Sequence, residues 1–199
     1  QFFFENDLRI AKEGGNVWVE NLRKVIFHSK LGSQADRIQR IKGLAIKLAP
    51  YFNLKEDQVI KAVGFAKADL CSQMVNEFPE LQGVMGKYYA DEFGYDQEIS
   101  LAVLEHYQPL GPSDAVPLSS LSIVIALADK LDSISSFWAI NEKPTGSKEP
   151  FALRRAAIGI IRLILSSDLK FNLLSGFKRA NNILIAEEKK DGVKYELDP

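Results

Sequence analysis

The stretch from Val59 to Gly86, VIKAVGFAKADLCSQMVNEFPELQGVMG, constrains this chain more than any other. Val59, Val63, Ala66, Leu70 and Met74 recur at spacings of three and four, which predicts a helix with one apolar face. Asn76, Pro79 and Gly83 then interrupt it, because proline lacks an amide donor and glycine frees the backbone. Asp69 falls inside the predicted helix, on the flank of the apolar stripe. Burying that carboxylate without a partner would cost several kcal/mol, roughly 2–7 for an ordinary polar group and more for a charge. Asp69 must therefore meet a hydrogen-bond donor, a cation or a metal, and which of these it meets bears on function.

A second stretch poses the same problem. Ser119 or Ser120 opens a strongly apolar helix, LSIVIALADKLDSISSFWAI, whose apolar run carries one acid, Asp129. Two helices with one semi-buried aspartate each allow a shared site. The plainer alternative is local neutralisation, with Lys130 and Arg154 as the available cations. Around these segments the remaining patterns are helical. Ser33 caps a helix to Ala49 with Ile38, Ile41, Ala45 and Leu48 on one face, and Pro50 ends it. Asn53 is the expected cap of the helix that follows. Val84–Phe93 and Asp96–His106 read as two more, and Pro109 closes the second. Pro150 suits a first helical position, and Phe151–Leu165 is amphipathic, with Leu153, Ala157, Ile160 and Ile164 as the expected buried face. Arg155, Gly159 and Arg162 share another face. Phe2–Phe4 reads as a short strand without a partner, as if left over from a neighbouring domain, and Val17–Phe27 is ambiguous. The expected fold class is all-α.

Hydrophobic residues make up 46% of the 199, enough for a substantial core. No apolar run approaches the roughly 20 residues of a membrane span. No leader pattern opens the sequence, since Glu5 and Asp7 follow Phe2–Phe4 directly. The single cysteine, Cys71, leaves no internal disulfide and reads as a reduced core thiol. These features predict a cytoplasmic protein. The net charge of −1 conceals polarity. Between Asn76 and Asp114 eight acidic residues face one lysine, whereas between Lys143 and Arg179 eight basic residues face two acids. A basic end of this kind suits a polyanion.

Metal hydrolysis calls for imidazoles beside carboxylates. The chain has two histidines, neither next to a paired acid. His106 reads as a helix-end or surface residue and His28 as structural, which argues against metal catalysis. No Walker-type or dinucleotide glycine loop is present, nor a serine-nucleophile motif. Pro144-Thr145-Gly146-Ser147-Lys148 is either a phosphate-contacting turn before a helix N-terminus or an ordinary connection.

Several strings are specific enough to carry a resemblance. Phe65-Ala66-Lys67-Ala68-Asp69-Leu70, Glu77-Phe78-Pro79-Glu80-Leu81-Gln82-Gly83-Val84-Met85-Gly86 and Glu105-His106-Tyr107-Gln108-Pro109 are three of them. Ala126-Leu127-Ala128-Asp129-Lys130-Leu131-Asp132 and Pro144-Thr145-Gly146-Ser147-Lys148-Glu149-Pro150-Phe151-Ala152-Leu153-Arg154-Arg155-Ala156-Ala157 are two more, and Lys30-Leu31-Gly32, Arg37-Ile38-Gln39-Arg40, Met74-Val75 and Tyr88-Tyr89-Ala90 fit as well. Together they resemble the β subunit of bacterial glycyl-tRNA synthetase, in order over about residues 1–168. That family's subunit is much longer, so the chain looks like an internal fragment. The resemblance divides it into a flanking segment 1–16 from a preceding domain, an HD-like helical domain 17–168, and 169–199 as a tail or part of a following helical region, set closer to the rest than in the family, as after a missing segment.

This part of the family resembles an HD domain, a helical fold that in phosphohydrolases binds metal. Carried over, the metal-ligand positions fall on Arg37, Ala68, Asp69 and Asp129. Both histidines are gone, so the resemblance implies a degenerate centre with no metal and no catalytic residue. An arginine at position 37 would then pair with both surviving carboxylates. The resemblance further implies a tRNA-binding and scaffolding part of a glycine–tRNA ligase. A separate α subunit would use ATP within an α2β2 assembly, and this stretch would need no cofactor of its own. Its partners would be tRNA(Gly) and the α subunit, with no DNA and no membrane. Lys148, Arg154, Arg155, Arg162, Lys178 and Arg179 are the expected phosphate contacts. Two readings compete: an HD-family metal-dependent nucleotide phosphohydrolase, and a subunit-interface module without RNA contact.

Overall fold

The computed structural model describes residues 2–14, 16–146, 149–167 and 171–191. Its elements run α1 (Phe2–Gly14), α2 (Asn16–Asn21), β1 (Ile26–His28), β2 (Gly32–Ser33), α3 (Gln34–Leu48), α4 (Glu56–Phe65), α5 (Gln73–Glu77) and α6 (Val84–Glu92). They continue through α7 (Gln97–Glu105), α8 (Ser120–Ala139), α9 (Leu153–Ser166) and α10 (Leu173–Asp191), with short 3-10 turns between several of them. β1 and β2 pair antiparallel as a minor hairpin, so the body is all-α in its working parts.

α8 is the axis. Most of its residues are buried, Asp129, Lys130 and Asp132 among them, which suits a helix with little solvent face, and α3, α4, α7, α9 and α10 pack around it. Ser119 caps its start by accepting from the Ser122 amide. α3 begins with a reciprocal cap, in which Ser33 Oγ accepts from the Asp36 amide and the Asp36 carboxylate accepts from the Ser33 amide at 2.7 Å. α3 ends at Leu48, just ahead of Pro50, and the chain tightens there into a 3-10 turn, Ala49–Phe52. Asn53 ends that turn in the left-handed region (φ 55°) rather than capping the next helix.

Two further sequence expectations give way. Phe2–Phe4 is helical, not a strand: Phe4, Leu8 and Ala11 follow a helical period toward a second apolar cluster containing Trp18, Phe65, Met85 and Tyr89. Asp7 ties α1 down, accepting from the Gln73 and Met74 amides at the start of α5 and from the Tyr89 hydroxyl. The helix predicted through Met74 stops at Phe65. A 3-10 turn, Ala68–Cys71, and a new helix capped by Ser72 replace its second half. α10 also joins the body, through Ala180 and Leu184 in buried positions.

Candidate functional site

The break after α4 decides where Asp69 points. It is 1% exposed, and its Oδ2 accepts from the Gly83 amide at 2.6 Å and the Gly86 amide at 3.1 Å. These are the first-turn donors of α6, so Asp69 is the anionic cap of that helix. Glycine is required here. Gly83 lies at φ +81°, and a Cβ on Gly86 would stand 3.0 Å from Asp69 Oδ2. Burial pushes the Asp69 carboxyl up to about 6, opposed by the Gly83 amide, the Lys67 charge and the Gly86 amide. Oδ1 has no partner among the described residues.

Asp129 takes the other route. Its Oδ1 lies 3.0 Å from Arg37 Nη2 and 3.1 Å from Lys67 Nζ. Burial alone would raise this carboxyl, but the two cations overcome it and hold the group well below the usual range. The Arg37 guanidinium stacks 4.3 Å over the Phe27 ring and donates to Ser133 Oγ at 2.8 Å. Its Nε lies 3.8 Å from Asp132, which accepts from Arg40 Nε at 2.7 Å. Arg40 extends the network to the Leu31 carbonyl and to Glu187 of α10.

Lys67 is the residue sequence reasoning missed. It is 1% exposed, its ammonium donates to His106 Nε2 at 3.1 Å, and it sits 4.2 Å over the Tyr107 ring. His106 is buried, not a surface residue. Its Nδ1 lies 2.7 Å from the Val103 carbonyl, which can only accept, so Nδ1 carries the proton and Nε2 is free to receive the lysine. Burial first, then the Lys67 charge, hold this imidazole neutral. Burial likewise lowers the Lys67 ammonium to about 8, with Asp129 opposing. The signal in the sequence was slight: a lysine beside Ala68-Asp69, just past a helix that ends at Phe65.

The arrangement differs from the expected one in two respects. Arg37 pairs with Asp129 and approaches Asp132, but it does not reach Asp69, which is served by backbone amides. Lys130 does not ion-pair with Asp129 within 4.0 Å. Its Nζ donates to the Tyr107 and Gln108 carbonyls at 3.0 and 2.9 Å, and burial lowers it to about 8. A divalent ion does not fit this donor set. Asp69 commits Oδ2 to two amides and leaves Oδ1 alone, Asp129 Oδ1 is held by two cations, and the His106 lone pair by an ammonium. Among the described residues no three His, Cys, Asp or Glu side chains converge as metal ligands.

The basic residues divide by direction. Arg154 and Arg155 on α9 and Lys178 on α10 are exposed. Arg162 turns inward, donating to the Gly111 and Asp114 carbonyls at 2.7 and 2.6 Å, and so fastens α9 to the loop before α8. Arg179 donates to the Tyr51 hydroxyl at 3.0 Å and to Ser175 Oγ at 3.3 Å. Lys148 lies outside the described residues. α9 buries Leu153, Gly159, Ile160 and Leu163, whereas Ala157, expected inside, is exposed. A cleft of about 260 Å³ opens where α9 begins, lined by Tyr107, Pro109, Leu110, Asp129, Lys130, Ser133, Phe151, Ala152, Arg155 and Ala156.

Fold and site together define an all-α domain whose polar centre is closed by side-chain cations. The chain belongs to the glycyl-tRNA synthetase beta subunit family, whose model matches residues 1–197. It is 58% identical over 182 residues to the glycine–tRNA ligase beta subunit of Dinoroseobacter shibae, covering 92% of this chain and 25% of that protein. The subunit from Paracoccus denitrificans is 58% identical over 179 residues, covering 90% and 26%. That from Cereibacter sphaeroides (strain ATCC 17023) is 50% identical over 200 residues, covering 100% and 29%. The chain thus spans about a quarter of the length of these relatives. No helix among the described residues is long and apolar enough to cross a membrane.

Proposed function

We propose that this chain is a tRNA-handling and scaffolding part of a glycine–tRNA ligase beta subunit, working in the cytoplasm. It supports ATP-dependent attachment of glycine to tRNA(Gly) performed with an α subunit, and it contributes no catalytic residue and no cofactor site of its own. The observation that carries this reading is the outer surface of α9. Arg154 and Arg155 are exposed there; the Arg154 backbone amide donates to the Glu149 carboxylate, but neither guanidinium has a carboxylate within 4.0 Å among the described residues. Unpaired surface guanidiniums on a helix fixed to the core suit the neutralisation of backbone phosphates. Lys178 adds a third outward cation. Arg162 and Arg179 act as fasteners that set the helices bearing these cations. The closed polar centre fits a domain that holds its substrate and does not hydrolyse it, and it disfavours the phosphohydrolase alternative.

The test is tRNA binding to the complete β subunit with its α partner at several salt concentrations. Charge reversal at Arg154 and Arg155 is expected to weaken binding and to flatten the slope of log K against log salt by about 0.7–0.9 per lost contact. An unchanged slope would remove α9 from the RNA surface. One observation favours a second reading, an interface with the remainder of the enzyme. Ile158, Ile161 and Leu165 stand 47%, 51% and 75% exposed along one face of the same helix. Loss of α-subunit binding with an unchanged salt slope would select it.

A further inference from the structure

We propose that the cleft between the first turn of α9 and the middle of α8 is a binding site for a single phosphate group. This inference does not rest on the tRNA reading, because it concerns a local pocket.

Lys130 supplies the first argument. Its side chain lines the cleft and is 5% exposed, yet it has no carboxylate within 4.0 Å among the described residues. Two of its three N–H donors go to the Tyr107 and Gln108 carbonyls, and the third has no acceptor among them. A buried ammonium with a spare donor is costly unless something completes its shell. The route of the side chain is also built. A Cβ on Gly159 would stand 2.6 Å from Lys130 Cε and 3.0 Å from Cδ, so α9 carries its glycine where the lysine stem crosses it. Mid-helix glycine costs about 1 kcal/mol relative to alanine, and here it keeps that passage open.

The other parts of the wall agree in sign. Arg155 contributes a guanidinium with no ion pair among the described residues. Ala152 precedes α9 and lines the cleft, and the Arg154 amide in the first turn of that helix is already taken by the Glu149 carboxylate, so the helix end adds no open donor of its own and the positive wall is Lys130 and Arg155. The one acid in the lining, Asp129, is already bonded to Arg37 and Lys67. The volume, about 260 Å³, is below the roughly 300–1,000 Å³ of pockets that enclose whole small molecules. It admits a phosphate group and a few attached atoms, with the rest of the ligand outside. That phosphate belongs either to a free phosphomonoester or to an RNA chain.

The test is a titration of the full polypeptide with inorganic phosphate at fixed ionic strength, followed by ³¹P NMR. Saturable one-site binding with Kd near 1 mM, about 4 kcal/mol, is expected. Arg155→Ala should weaken it about tenfold, a loss of about 1.4 kcal/mol, and Gly159→Ala should weaken it too, while Arg154→Ala, outside the cleft, changes it by less than about twofold. Absence of saturation to about 20 mM, or equal losses from Arg154→Ala and Arg155→Ala, would overturn the proposal. Arg155→Ala alters a surface position and keeps the test valid if Gly159→Ala fails to fold. Displacement of bound phosphate by an RNA oligonucleotide identifies the phosphodiester source. Displacement by AMP and not by RNA identifies the free monoester.

Discussion

Replacing Lys67 by methionine isolates the ammonium at the centre of the molecule. Methionine keeps much of the stem volume but withdraws the bond to Asp129 at 3.1 Å and the bond to His106 at 3.1 Å. Breaking a buried ion pair from one side costs about 3–5 kcal/mol. Arg37 still holds Asp129 at 3.0 Å, and an unpaired neutral imidazole costs less than an unpaired charge, so the lower end, about 3 kcal/mol, applies. Urea unfolding of wild type and variant at pH 7 measures it as a shift in midpoint with an unchanged slope. The variant carries a second signature. Lys67 is the second cause, after burial, of the depressed His106 imidazole, so its removal should raise the His106 pKa, read by NMR of the ring protons. A loss below about 1 kcal/mol, against the 3–5 expected for a buried pair, together with an unmoved His106 titration, would show that the ammonium does not organise this centre.

Other consequences are direct. Asp69 titrates near 6 in the fold and near 3.8 in the unfolded chain, so between those values the folded state holds the extra proton. Its contribution is therefore fully present below about pH 4 and lost as pH rises through 6, about 3 kcal/mol in all, and Asp69→Asn should abolish that slope in denaturation measured from pH 4 to 7. Gly86→Ala drives a methyl to within 2.9 Å of Val103 Cγ1 and 3.0 Å of Asp69 Oδ2 and should cost about 1–3 kcal/mol in the same assay. Arg162→Ala should speed hydrogen exchange in residues 110–117 while leaving the salt slope of tRNA binding unchanged; a flattened slope would return Arg162 to the RNA surface.

The parts legible in the sequence were those set by neighbouring residues. Ser33 and Ser119 announced their helices because a cap is a contact over three residues. The run after Ser119 was visibly a core helix because Leu121 to Ala128 is apolar all round apart from one serine. The break after Phe65 was hidden, since Ala66, Leu70 and Met74 keep a helical spacing across a turn that preserves their direction; Ser72, a cap in its own right, was the available signal. α1 was misread because only Phe2–Phe4 was weighed, whereas the helical period emerges once Leu8 and Ala11 are included. The buried face of α9 shifted from Ala157 to Gly159 because the Lys130 side chain, from another helix, lies against it. The partners of Asp69 and Asp129 depend on which distant elements meet: the amides of α6 for one, Lys67 and Arg37 for the other. Periodicity carries no information on such meetings, so the need for partners was readable and their identity was not.

Arg37 and Lys67 close the centre around Asp129, while backbone amides hold Asp69, and no metal is left a place between them. Metal analysis of the purified protein after equilibration with excess Mn²⁺ and removal of the free ion tests it most directly. The account predicts far less than one equivalent retained, unchanged by Asp129→Asn. One equivalent of tightly held divalent ion, lost in that variant, would contradict it.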